Sequence, residues 1–170
     1  PEAISVLKNV LEDLNQEPIV RHEAGEALGA MGSPEVIELL KKYEDDPVIE
    51  VAETCKLALD RIKWLLANEE SSLTESPYNS VDPAPPLPIR DMSQLEEMLF
   101  NENASLFERY RAMFTLRNMS TKESVETLCR GLKAGSALFR HEIAFVLGQL
   151  QNLNSVNALR ESLEDVDEHE

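Results

Sequence analysis

Apolar residues recur at helical spacing along nearly the whole chain. Ile4, Leu7, Val10, Leu11 and Leu14 line one stripe, and Val36, Ile37, Leu39 and Leu40 begin another. Recurrence at three and four residues marks a helix buried on one side. Sustained strand alternation is missing. Short breaks interrupt the stripes at Glu17-Pro18, Gly32-Ser33-Pro34, Asp45-Asp46-Pro47, Ser120-Thr121 and Ala134-Gly135-Ser136. Each can end one helix and open the next, through a proline in the first turn or a Ser/Thr side chain that caps it. The expected fold class is all-α.

Aligned on these breaks, the helices repeat. Pro18-Ile19-Val20-Arg21 returns as Pro47-Val48-Ile49-Glu50. Likewise Leu106-Phe107-Glu108-Arg109 returns as Leu138-Phe139 with the following Arg140, the spacing being roughly 30 residues in each case. Each unit reads as a helix A, a tight turn and a helix B. A layer this thin cannot bury its own apolar face, so neighbours must stack into an α-solenoid. The pattern resembles HEAT repeats, with a shorter unit. The opening stretch PEAISVLKNVLEDL follows the helix B pattern of VIELLKKYEDD, and Leu163-Glu164-Asp165 lines up with Leu11-Glu12-Asp13. The chain is therefore expected to begin midway through a unit and to be truncated at both ends.

One segment departs from this pattern. Between about Asn68 and Arg90 stand Pro77, Pro83, Pro85, Pro86 and Pro88, which remove backbone donors and fix φ. An extended linker is expected there, with Tyr78 and Val81 available to pin it to a surface. The predicted organisation is a first lobe of HEAT-like helical pairs over 1–67, a Pro-rich linker over 68–90 and a second such lobe over 91–170.

Charge narrows the partners. Asp and Glu number 32 against 16 Lys and Arg, a formal net charge of −16. Such a chain repels phosphate backbones, which argues against nucleic acid, and draws a cationic group instead. Most of these acids are expected only to solvate the surface, and Glu44, Asp45, Asp46 and Glu50 are read as exposed residues that at most tune the field. Cys55 and Cys129 belong to no Cys-x-x-Cys pair, so both are expected to be core thiols rather than parts of a disulfide or zinc framework. No apolar run reaches the roughly 18 to 20 residues that span a bilayer, and no signal segment opens the chain. The expectation is a cytoplasmic protein without a membrane partner.

The histidines carry the candidate chemistry. All three precede a glutamate, as His22-Glu23, His141-Glu142 and His169-Glu170. The first two occupy one helix A position inside matching frames, RHEAGEALG at 21–29 and RHEIAFVLG at 140–148. His169 falls short of that register and reads as coincidence. Val51-Ala52 and Tyr110-Arg111 fill the same position in the other units, so the fold itself does not require His-Glu. Imidazole nitrogen and carboxylate oxygen are ligands of non-haem iron, manganese or zinc. Adjacent helical residues diverge by about 100°, so another helix must contribute to any such site.

Neighbouring residues have plainer expected roles. Glu26, one turn after His22, is placed either to orient the imidazole or to form a surface ion pair. Arg21 and Arg140 are expected to pair with carboxylates at the lobe interface. Gly25, Gly29 and Gly148 suit close helix packing, and Met113, Phe114, Phe139 and Phe145 read as core. A metal-free HEAT scaffold binding a basic protein would account for the charge and the repeats but not for the matching frames. A zinc hydrolase would suit the ligands, yet no nucleophile or general-base constellation accompanies them.

The stretches RHEAGEALGAMG, DDPVIEVAETC, VDPAPP, LFERYRAMFTLRN and SALFRHE together resemble the deoxyhypusine hydroxylase family. The resemblance implies a di-iron monooxygenase that uses dioxygen to hydroxylate the deoxyhypusine side chain of a translation factor, forming hypusine. By the same resemblance, His22 and Glu23 ligate one iron, His141 ligates the other, and Glu142 binds the substrate amine. The family carries His-Glu motifs in two consecutive units of each lobe. Two of the four fall outside these 170 residues, so the chain alone is expected to bind iron weakly and to turn over little.

Overall fold

In the computed structural model, which describes residues 2–67 and 76–168, the chain is helical. The helices are α1 (Glu2–Glu12), α2 (Pro18–Met31), α3 (Ile37–Tyr43), α4 (Ile49–Ala67), α5 (Met92–Phe100), α6 (Leu106–Met119), α7 (Lys122–Gly131), α8 (Ala137–Leu150) and α9 (Val156–Leu163). Single 3-10 turns, Pro34–Val36 and Leu153–Ser155, lead into α3 and α9. The described residues include no strand.

Every predicted break falls between helices. Gly32 ends α2 in the left-handed region at φ 66°, its N–H donating to the Gly29 carbonyl at 3.1 Å. A side chain there would be strained, which is why glycine holds the position. Ser105, Thr121 and Ser136 cap α6, α7 and α8, their hydroxyl oxygens accepting the Glu108, Ser124 and Phe139 N–H groups. Each satisfies a donor that the first turn leaves without a helical partner.

The chain divides into two compact units. The first contains the described residues through 67 together with Val81–Pro83, and the second contains Ser76, Ser80 and the residues between them together with those from Ala84 onward. The first unit closes around Leu11, Leu28, Val36, Leu40, Val51, Cys55 and Ile62. Its two A helices, α2 and α4, pack side by side. Gly29 permits the approach: a Cβ there would lie 2.6 Å from the Ala58 Cβ and 3.0 Å from its Cα. The second unit buries Leu95, Leu99, Phe114, Leu128 and Leu147 around Tyr110. The Tyr110 ring centroid lies 6.2 Å from Phe114 and 6.0 Å from Phe139, inside the range of favourable aromatic pairing.

Arginines on the A helices tie neighbouring elements together. Arg21 Nε donates to the Leu11 carbonyl at 3.0 Å, and Arg109 Nε donates to the Leu99 carbonyl at 2.9 Å. Both acceptors lie in the last turn of the preceding helix, where carbonyls lack intrahelical donors. Arg21 also grips Asp46 through Nη1 at 3.2 Å and Nη2 at 2.5 Å, and Asp46 in turn accepts the Val48 N–H at 2.9 Å. Arg140 grips Glu168 at 2.8 and 2.6 Å.

These pairs correct two expectations. Arg21 and Arg140 find their carboxylates within their own units, because the partner sits in the turn before the next A helix or just after α9. Asp46 is not a surface acid, since its side chain is 1% exposed beneath Arg21. Three apolar or small positions also differ. Phe145 is 51% exposed, Cys129 is half-buried, and nothing would approach a Cβ on Gly148 within 4 Å. All three lie on α7 or α8, where the helical stripe reaches the edge of the unit's core.

Residues 76–90 form no helix. In the first unit, Arg61 Nε donates to the Asp82 carbonyl at 3.1 Å. In the second, Arg111 Nε donates to the Pro85 carbonyl at 3.2 Å, the Leu87 N–H donates to Thr115 Oγ1 at 2.7 Å, and the Arg117 guanidinium stands 4.8 Å over the Tyr78 ring. Prolines withdraw donors from this stretch, and side chains from the helices supply donors to its carbonyls. The expected linker residues 68–75 lie outside the described residues, as do His169 and Glu170.

Candidate metal centre

His22 stands in the second turn of α2, opened by Pro18 at its first position. The helical period turns its ring inward against α4 while carrying Glu23 about 100° around the helix and leaving Glu26 on the same face one turn later. His22 is 4% exposed. Its Nδ1 lies 2.6 Å from Thr54 Oγ1 on α4. Its Nε2 faces two carboxylates, Glu23 Oε1 at 3.9 Å and Glu26 Oε2 at 3.8 Å. Burial, followed by the neighbouring charge of Glu23, raises the pKa of Glu26.

The chemistry of this donor set suits a metal of the iron or zinc type. One ring nitrogen is held by a hydroxyl and the other faces carboxylate oxygens, the arrangement in which an outer hydrogen bond fixes a ligand histidine. Such a set would supply only part of a coordination shell. Among the described residues, no group of three or more His, Cys, Asp or Glu side chains is arranged to hold an ion.

The second His-Glu pair has the opposite exposure pattern. His141 on α8 is exposed, whereas Glu142, one residue on, is buried at 6%. His141 lines a groove between α8 and α9 with Arg140, Ala144, Leu159 and Glu168. The equivalent positions in sequence therefore do not impose equal surroundings: in the first unit a following A helix, α4, covers His22 and contributes Thr54.

The repeat architecture has direct counterparts. Residues 1–60 match the family model of HEAT repeats, and residues 108–134 and 139–165 match the PBS lyase HEAT-like repeat. Deoxyhypusine hydroxylase of Danio rerio is 56% identical over 170 residues, spanning 98% of this chain and 56% of the relative. The Homo sapiens enzyme is 56% identical over 161 residues, spanning 95% and 53%, and that of Drosophila melanogaster is 52% identical over 170 residues, spanning 99% and 56%. The chain belongs to the deoxyhypusine hydroxylase family. A solved structure of human deoxyhypusine hydroxylase in complex with glycerol matches with a TM-score of 0.94 at 55% identity, covering 99% of this chain and 58% of that one. This chain thus spans a little over half the length of the deoxyhypusine hydroxylases that it matches.

The structure places Glu23 and Glu26 beside His22 and adds Thr54, which sequence reasoning missed. Thr54 occupies the repeat position of Gly25, one unit later. A hydroxyl at position 54, within the helical stripe of Val51, Cys55, Ala58 and Ile62, was the available signal. No helix among the described residues is long and apolar enough to cross a membrane.

Proposed function

We propose that this chain forms part of a di-iron monooxygenase that hydroxylates the deoxyhypusine side chain of a translation factor, completing hypusine. Identity of 56% with a deoxyhypusine hydroxylase across 98% of the chain carries this proposal. The donor chemistry around His22 supports it.

His22 and Glu23 would hold one iron, His141 would hold the other, and Glu142 would bind the substrate amine. When bound, the iron pair supplies the activation of dioxygen. The chain's own residues supply placement and charge. Burial of His22 between α2 and α4 keeps bulk water from its ring, and Thr54 keeps that ring from turning. The substrate side chain is cationic at neutral pH, and a protein of net charge −16 attracts it at long range. A buried carboxylate at Glu142 offers a much stronger partner for an ammonium group than an exposed one, because less water competes. The protein acts in the cytoplasm, where the translation factor resides.

The test compares the complete gene product, the 170-residue chain and histidine variants for iron content and for hydroxylation of a deoxyhypusine-bearing translation factor. The complete product should bind two irons and turn over. His22→Ala and His141→Ala should each lose iron and activity, and the 170 residues alone should bind iron weakly and turn over little. Full activity in either histidine variant would overturn the ligand assignment, and two tightly bound irons with turnover in the 170-residue chain would overturn the claim that its sites are partial.

A further inference from the structure

We infer that the stretch APPLPIR at 84–90 is a docking ligand for a domain of the SH3 type, one with an aromatic-lined groove and an acidic pocket at its end, and that α6 holds this ligand partly masked. The inference goes beyond the hydroxylase reading and uses none of the histidines. A spacer needs prolines but no particular register among them, and here the register is specific.

Sequence sets the preferred conformation. Pro85, Pro86 and Pro88 have φ fixed, and Ala84, Pro85 and Leu87, each preceding a proline, are pushed to extended backbone. Such a run favours polyproline II, a helix with a three-residue period and no internal hydrogen bonds. That period sets Ala84 with Leu87 on one edge and Pro85 with Pro88 on the next, leaving Pro86 and Ile89 on the third. The dipeptides Ala84-Pro85 and Leu87-Pro88 then form one ridge, the shape that aromatic-lined grooves take up at low entropic cost. A polyproline II ridge reads nearly alike in both directions, so a charge at one end must fix its orientation. Arg90 supplies that charge: it is exposed, it follows the second dipeptide closely, and its guanidinium matches carboxylates. No Lys or Arg precedes the ridge after Lys63, so the charge is at one end alone.

The second unit competes for the same ridge. Ala84 is 0% exposed and Pro85 is buried, whereas Pro88 and Arg90 are exposed. On α6, Arg111 Nε donates to the Pro85 carbonyl at 3.2 Å. The Leu87 N–H donates to Thr115 Oγ1 at 2.7 Å, and that hydroxyl donates in turn to the Arg111 carbonyl at 2.7 Å. The backbone is bent at Ala84 and again at Pro88. A partner can thus meet Pro88 and Arg90 in place, but full engagement requires Ala84-Pro85 to leave α6 and the stretch to straighten. Apparent affinity falls with the fraction of chains in which the stretch is released. Loosening the grip of α6 should therefore tighten binding, whereas altering the ridge or Arg90 should weaken it.

The probe is an isolated SH3 domain of the class that takes Pro-x-x-Pro-x-Arg ligands, and binding is read from its amide resonances. The 170-residue chain is compared with a synthetic peptide of residues 82–92, in which nothing masks the ridge. The peptide should bind saturably, and the folded chain about 10-fold or more weakly. Thr115→Val removes the Leu87 acceptor while keeping the side chain's shape, and Arg111→Met removes the donor to Pro85. Each should tighten binding of the chain about 2- to 10-fold, and Arg90→Ala should weaken both peptide and chain about 10-fold or more. A circular-dichroism melt shows which variant chains are folded, and either release variant suffices for the comparison. A peptide that leaves the resonances unmoved, or that binds as well with Arg90→Ala, overturns the ligand assignment. A wild-type chain that binds as tightly as the peptide, or folded release variants that bind no tighter than wild type, overturn the masking by α6.

Discussion

At the scale of single residues, small side chains and buried atoms decide more than the helical pattern does. Gly29 lies inside α2, where glycine costs about 1 kcal/mol relative to alanine by intrinsic propensity. Propensity alone would make Gly29→Ala stabilising. The added Cβ would lie 2.6 Å from the Ala58 Cβ and 3.0 Å from its Cα, and backbone atoms of a packed helix cannot step aside alone. Separating the helices should cost about 1–3 kcal/mol, so Gly29→Ala is predicted to lower the urea midpoint. The cysteines offer a second check. Burial, with the nearby charge of Asp46, pushes the Cys55 thiol up to about 12, and its side chain has no solvent access. Cys129 is half-buried, with its pKa raised first by burial and then by Glu126. A maleimide added to the native chain at neutral pH should label Cys129 well before Cys55, as read by peptide mass mapping.

At the scale of elements, one arginine joins three pieces of the first unit: the end of α1, α2 itself and the turn that opens α4. Arg21 and Asp46 are 4% and 1% exposed. Removing one partner leaves a buried charge uncompensated, and such losses run to about 3–5 kcal/mol. Arg21→Ala should therefore destabilise the chain much more than Arg140→Ala, whose pair with Glu168 is 22% and 21% exposed. The pair also has a pH signature. Burial raises the Asp46 pKa, but hydrogen bonds from Arg21 and the Val48 N–H, with the Arg21 charge, outweigh it and hold the carboxyl below its ordinary value. A pKa lowered in the folded state contributes stability above the unfolded value, near about 3.9 for Asp, and that contribution is lost as pH falls through the folded value. The gap in urea stability between wild type and Asp46→Asn should be wide at pH 7 and shrink in acid; a constant gap would exclude this linkage. Helix order, the breaks at Gly32 and Ser136 and the non-helical strap at 76–90 were legible from period, caps and prolines, because those signals are local. The Arg21–Asp46 pair was not: its members are far apart in sequence, and nothing local marks an aspartate before Pro47 as buried. Thr54 escaped for the same reason, since only stacking of α4 on α2 makes its hydroxyl a partner for His22.

At the scale of the whole molecule, 32 acidic residues against 16 basic ones set two electrostatic effects against each other. Exposed ion pairs such as Arg130 with Glu96, at 2.7 Å, favour the folded chain and weaken as salt is added. Pairs of this kind contribute only about 0–1 kcal/mol each. The sixteen uncompensated negative charges oppose folding, because compaction brings them together. At 0.01 M salt the screening length is about 30 Å, so this repulsion acts across the molecule, whereas at 0.15 M it is about 8 Å and reaches only near neighbours. Long-range repulsion is therefore relieved first, while pairs in direct contact keep most of their attraction. Raising sodium chloride from 0.01 to 0.15 M is predicted to raise the thermal midpoint, each 1 kcal/mol of relief being worth about 2–4 °C for a chain of this size. The same screening should slow capture of a cationic side chain, since attraction at a distance fades with the repulsion. A midpoint that falls over this salt range would mean that the ion pairs, and not the excess of acid, dominate the electrostatics of the fold.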